Sequence, residues 1–227
     1  MTVEAQNKNL DSTTRILDAA TRLFAEKGFH GVTTRQIAAA ADLNIATVHH
    51  HLGSKSDVYM AVLRRFYGEE AALVQEFVEA SRVEIIDDAA QLRRVLFRLA
   101  DAQIKHVSCA PERAWLYMRR WLETTPGLAH TQRGAAAAVA AFEASQSQAL
   151  FAPLQAIVRR AQKRGLVRCQ ADAGMIIRGF DWLLYTYFTC GPVEKQQWRG
   201  DPCAPANIRR FKKFIHAYLL SMLGLDN

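Results

Sequence analysis

The chain has 227 residues, 50% of them apolar and 22% charged, with 12 Gly, 6 Pro and a formal net charge of +7. That balance describes one large or two small globular domains and excludes collagen-like, proline-rich and disordered chains. No apolar run reaches the ~18 residues of a membrane span, and the stretch from Met1 to Lys8 has no apolar core of the signal-peptide kind. A soluble, cytoplasmic protein is expected.

Residues 1–10 are polar and are expected to form a disordered arm. Asp11 or Ser12 caps a first helix, with Ile16, Leu17, Ala20, Leu23 and Phe24 on one face and Gly28 as its stop. Thr33 or Thr34 caps a short second helix carrying Ile37, Ala38 and Ala41. Asp42-Leu43-Asn44 breaks the chain, and Asn44 caps a third helix from Ile45 to Leu52, ended by Gly53. Ser54, with Asp57 three residues on, opens a longer fourth helix in the manner of a capping box. Further helices are expected from Asp87 or Asp88 to Val107 and from Pro111 to Glu123. A long one follows from Thr125-Pro126 to Arg164, with Pro153 expected to kink or split it. The last two run from Ala171 or Asp172 to Thr189 and from Ala206 to Leu223, around a loop over 191–205. No long alternating run or hairpin dipeptide interrupts this, so the fold class is all-α.

Three short helices with a break of about three residues between the second and third form a helix-turn-helix, here about 34–53. Ala38 is small where the third helix crosses, and Leu43 and Val48 plug the small core. The start of the third helix is left free to enter a major groove. Net charge does not argue for this. Residues 1–60 carry Lys8, Arg15, Arg22, Lys27, Arg35 and Lys55 against Glu4, Asp11, Asp18, Glu26, Asp42 and Asp57, so the basic surplus lies beyond them.

The residues at these positions resemble a known pattern. Ile16-Leu17-Asp18-Ala19-Ala20, Leu23 to Phe29, Thr34-Arg35-Gln36-Ile37-Ala38 and Ala46 to Lys55 occur in the order and spacing of the N-terminal domain of the tetracycline-repressor (TetR) family. The resemblance covers roughly a fifth of the chain. It implies a three-helix DNA-binding domain over 11–58 and a larger helical ligand-binding and dimerisation bundle over 59–227. It also implies a homodimer on a pseudo-palindromic double-stranded DNA operator, released by a small apolar or amphipathic effector. Residue by residue, it places Thr34 and Arg35 at a phosphate-facing helix start. It puts Asn44, Ile45, Ala46 and Thr47 at the base-reading start of the third helix, His49 and His50 on the DNA backbone, and Lys55 on a phosphate. Asp42 departs from the usual turn glycine, and Ile45 from a polar residue, which favours contact with a thymine methyl.

The triplet His49-His50-His51 does not read as a metal site, because consecutive helical side chains point ~100° apart. The expectation is that His51 packs inward and the other two face DNA. A phosphate partner favours charged imidazole, so affinity is expected to rise as pH falls through the histidine range. Trp115, Met118, Trp121, Phe142, Trp182 and Tyr185 are candidate linings of an effector pocket, with His106, Arg119 and Asp181 as its polar groups. The helix around Ile176, Phe180, Leu184 and Phe188 is apolar nearly all round, and the last helix carries Phe211, Ile215, Leu219 and Met222 as a stripe. Two such helices from each subunit suit a four-helix dimer interface. Four scattered cysteines without a C-x-x-C give no metal or dithiol motif. No catalytic set can be assigned and no cofactor is expected. The alternatives are an activator of the same family and a helical-bundle enzyme.

Overall fold

The computed structural model describes residues 3–83, 86, 88–124, 133–194, 197–198 and 200–225. They form α1 (Val3–Lys27), α2 (Thr34–Ala40), α3 (Ile45–Leu52), α4 (Lys55–Val83), α5 (Ala89–Cys109) and α6 (Glu112–Thr124). After these come α7 (Arg133–Lys163), α8 (Ala173–Cys190), the two-residue strands β1 (Val193–Glu194) and β2 (Gln197–Trp198), and α9 (Pro205–Leu223). The strands pair antiparallel, Val193 against Trp198, inside the stretch expected as plain loop. The fold is all-α apart from that short ladder.

Local hydrogen bonds set most helix starts. The Thr33 hydroxyl accepts from the Gln36 N–H at 3.2 Å while the Thr33 N–H donates to Gln36 Oε1 at 2.8 Å, a closed capping box for α2. Asn44 Oδ1 accepts the Thr47 N–H at 2.7 Å to cap α3. Ser54 and Asp57 exchange hydrogen bonds of 3.3 and 2.9 Å across the start of α4. The Ser54 bonds hold the Asp57 carboxyl below its usual range. Asp88 and Asp172 cap α5 and α8 in the same way.

Two expectations change. α1 begins at Val3 rather than at Asp11, because no Gly or Pro interrupts the chain before Gly28 and nothing obliges the helix to start at its first good cap. α7 runs through Pro153 without being split; one missing ladder bond does not end a helix 31 residues long. The Thr125-Pro126 start lies outside the described residues.

The chain divides into two compact units, residues 1–68 with 112–142, and residues 69–111 with 143–227. In the first, Ile16, Ala20, Phe24, Val32, Ile37, Val48, Val58, Val62 and Leu63 are each buried. Phe24 meets Tyr59 edge-on at 5.0 Å. Helix α6 belongs to this unit and is fastened to α1 by Arg119. Its Nε donates to Ala25 O at 2.6 Å and its Nη2 to Glu26 O. These carbonyls lie in the last turn of α1, where the helix itself offers no partner. In the second unit Leu92, Leu96, Val158, Ala161, Ile176 and Leu223 form one apolar cluster, and Val74, Val78, Leu99, Leu150 and Leu154 a second.

Candidate nucleic-acid interface

The angle between α2 and α3 is set at Asp42, whose φ of 54° is left-handed. Leu43 N–H donates to Ala38 O at 2.9 Å and Asp42 N–H to Ala39 O at 3.2 Å, the paired closure that usually has glycine at this position. Asp tolerates the conformation better than most residues. Arg15 of α1 then fastens the turn. Its Nη2 donates to Ala41 O at 2.7 Å and Asp42 O at 2.9 Å, and lies 3.4 Å from Asp42 Oδ2.

From this turn α3 buries Val48 and presents its other face to solvent. His51 turns toward α1, with Nδ1 3.4 Å from Thr13 Oγ1. Asn44, Ile45, Ala46, His49 and His50 are exposed and Thr47 is half-buried. Ile45 leaves 41% of its surface in water, an apolar side chain at the tip of a helix with no core to join. The Thr47 hydroxyl donates to Asn44 Oδ1 at 2.9 Å, and the same oxygen accepts the Thr47 N–H. The Asn44 oxygen is thereby committed to the cap, while its amide protons and the Thr47 oxygen lone pairs can serve an outside partner.

Arg35 stands exposed on the first turn of α2, beside half-buried Thr34. Lys55 is engaged differently. Its Nζ donates to Phe29 O at 3.1 Å and lies 4.3 Å from the Phe29 ring centre, tying α4 to the turn after α1. That turn needs glycine at position 31, where an added Cβ would sit 2.4 Å from Lys27 O. From Gly28 to Ser56 Asp42 is the only acidic residue, against Arg35, Lys55 and four histidines. Asp18 is taken up by Arg65 at 2.6 Å. A head with no net charge therefore has a locally basic α2–α3 face.

The effector candidates separate. Trp115, Met118, Arg119, Trp121 and Phe142 lie in the first unit, and His106, Asp181, Trp182 and Tyr185 in the second. Arg119 serves the α1 terminus, Asp181 lies 3.4 Å from Arg178, and Trp115, Trp121 and Trp182 are 46, 40 and 48% exposed. His106 and Tyr185 come together on Glu70, which sequence reasoning missed. Of the dimer candidates, Ile176, Leu184, Phe188, Phe211, Ile215 and Leu219 are buried within the chain itself, and Phe180 and Met222 are half-buried. The large apolar residues exposed on α8 and α9, among the described residues, are Met175, Trp182 and Phe214. Among the described residues no group of His, Cys, Asp or Glu is placed to hold a metal ion, and no helix is long and apolar enough to cross a membrane.

Residues 16–62 match the family model of bacterial regulatory proteins, tetR family. The chain is 36% identical over 87 residues to the HTH-type transcriptional repressor AcnR of Corynebacterium glutamicum, a stretch that is 38% of this chain and 44% of that protein. It is 34% identical over 94 residues to the HTH-type transcriptional dual regulator CecR of Shigella flexneri, covering 40% of this chain and 42% of that one. The matches thus span less than half the length of these relatives. The fold agrees along nearly the whole chain with the ketosteroid transcriptional regulator KstR2 of Mycobacterium tuberculosis (TM-score 0.64, 17% identity, 93% of each chain). It agrees similarly with the TetR family regulator PfmR of Thermus thermophilus (TM-score 0.62, 19% identity, 92% of this chain and 94% of that one). With the amino-terminal match falling on the helix-turn-helix just described, residues 16–62 resemble the DNA-binding segment of the tetR family of bacterial regulatory proteins, and the rest of the chain resembles its solved members in fold.

Proposed function

We propose that the protein is a homodimeric transcriptional repressor of the cytoplasm that holds a pseudo-palindromic operator until a small apolar or amphipathic molecule binds its second unit. One observation carries the reading. The capped start of α3 exposes Asn44, Ile45, Ala46, His49 and His50 together around a half-buried Thr47, on a face with almost no acidic charge. Thr34 and Arg35 supply the start of α2, whose N–H groups and guanidinium suit a phosphate. Ile45 offers its apolar surface to a thymine methyl, and Thr47 and Asn44 offer polar groups to base edges. Lys55 stiffens the turn beside this face and has ammonium protons left for a phosphate.

A single helix reads too few base pairs for a useful specificity ratio, which supports two copies on one duplex. Met175, Trp182 and Phe214 are the side chains suited to a second copy, since they are the large apolar side chains that α8 and α9 leave exposed among the described residues. An effector acts only by binding the arrangement that fits DNA poorly better than the one that fits it well. Selection of binding sites from random duplex DNA tests the reading. Two inverted half-sites are the expected product, and recovery of no preferred sequence contradicts it. A reporter gene placed behind the selected site then separates repression from activation.

A further inference from the structure

The second unit buries a group of polar side chains contributed by three helices. Glu70 on α4 is 3% exposed and Gln103 on α5 is 9% exposed. The Tyr185 hydroxyl of α8 donates to Glu70 Oε1 at 3.0 Å, and His106 Nε2 lies 3.1 Å from the same oxygen. Gln103 and His106 are three residues apart and so share a face of α5. The Gln103 carbonyl oxygen, Oε1, is fully buried and has no hydrogen-bond partner. An orphaned buried acceptor forfeits its hydration without return, and few native side chains are left so. Apolar side chains begin one turn away, with Val74 following Glu70 on α4 and Leu99 preceding Gln103 on α5. These two pack with Leu150, Leu154 and Phe151. A cationic side chain near that cluster, Arg178, lies over the Phe151 ring at 4.4 Å and 3.4 Å from Asp181.

We infer that Glu70, Gln103, His106 and Tyr185 form the polar end of the effector site, and that the effector is an uncharged molecule with an apolar body and a hydroxyl or amide N–H that donates to Gln103 Oε1. This rests on the ligand-released reading above and specifies its ligand. The vacancy in the group is an acceptor. Gln103 Oε1 is vacant, Glu70 is a carboxyl, and the Tyr185 proton is already given to Glu70. A ligand carboxylate would stand beside the buried Glu70 carboxyl, and like charges in such a site are disfavoured. A donor without charge satisfies the orphaned oxygen while its apolar body meets Val74, Leu99 and Leu150.

Calorimetric titration of the full chain with 1-octanol and with octanoate at neutral pH tests this, with wild type beside Gln103→Met. Octanol is expected to bind wild type about tenfold more tightly than octanoate does, the ratio that one well-made hydrogen bond supplies. Gln103→Met is expected to lose about tenfold in octanol affinity while melting at or above the wild-type temperature, since the orphaned group is gone. Equal octanol affinity in the two proteins, a preference for octanoate, or no binding of either probe overturns the inference. So does a Gln103→Met protein that melts well below wild type, because Gln103 is then partnered. The same preparations are assayed on the selected operator. Retained DNA with failed octanol tests removes this site alone, whereas loss of DNA binding in wild type removes the regulator reading beneath it.

Discussion

Individual residues in the head separate into those that hold it and those that face outward. Arg35 has no hydrogen bond or ion pair among the described residues, so Arg35→Ala is expected to leave stability unchanged. It should weaken binding to every duplex alike and reduce the slope of log affinity against log salt by about 1. Thr47→Ala should instead relax the choice of base at one position, by about 1–3 kcal/mol of discrimination; a site selection repeated with the variant reads this. Lys55 belongs to both groups, because its Nζ holds Phe29 O and is proposed above to serve a phosphate as well. Loss of binding in Lys55→Ala therefore has to be compared with its melting curve. At Asp42, a β-branched side chain meets the left-handed backbone directly. Asp42→Val should cost about 1–2 kcal/mol in denaturant unfolding, and Asp42→Gly little or nothing. Asp57 gives a pH signature. Its carboxyl is held below its usual range in the folded chain, so its contribution is complete above the ordinary carboxylate range. That contribution is lost as pH falls through the lowered value, and Asp57→Asn should flatten that part of the acid unfolding profile.

At the scale of elements, Arg119 shows what periodicity can and cannot reveal. Its spacing on α6 marked it as a polar group among aromatics. The structure uses it to satisfy the last carbonyls of α1, more than ninety positions away in sequence. Arg119→Met should lower stability by about 1–2 kcal/mol, the worth of charge-assisted hydrogen bonds at a helix end, read by urea unfolding. The capping signals were legible for a physical reason. Thr33 with Gln36, Asn44, Ser54 with Asp57, Asp88 and Asp172 act within one helical turn, so sequence distance and spatial distance coincide. The start of α1 was not, because a cap only permits a helix to begin and does not compel it. On α8, apolar residues occupy nearly every direction, so pattern alone could not divide Ile176 and Leu184, buried within the unit, from Met175 and Trp182, exposed on it. The Glu70–His106–Tyr185 contacts join α4, α5 and α8. No local spacing announces a meeting of three helices distant in the chain.

For the whole molecule, the division into units gathers α6 with the head. Arg119 is the polar tie that makes this intelligible, because it fastens α6 to the same α1 whose Arg15 holds the α2–α3 turn. Pairing of two copies is expected to depend on the apolar side chains left in water. Trp182→Asp with Phe214→Asp should give a folded monomer by light scattering, with operator affinity lost and weak nonspecific binding kept. The measurement that tests the account most directly is hydroxyl-radical footprinting of the wild-type protein on its selected duplex. Two protected backbone segments, centred one helical turn or a small multiple of about 34–36 Å apart, are expected, each weakened by Arg35→Ala. A uniform, unprotected cleavage ladder, or protection unchanged by Arg35→Ala and by Thr47→Ala alike, would contradict the claim that the start of α3 is what meets DNA.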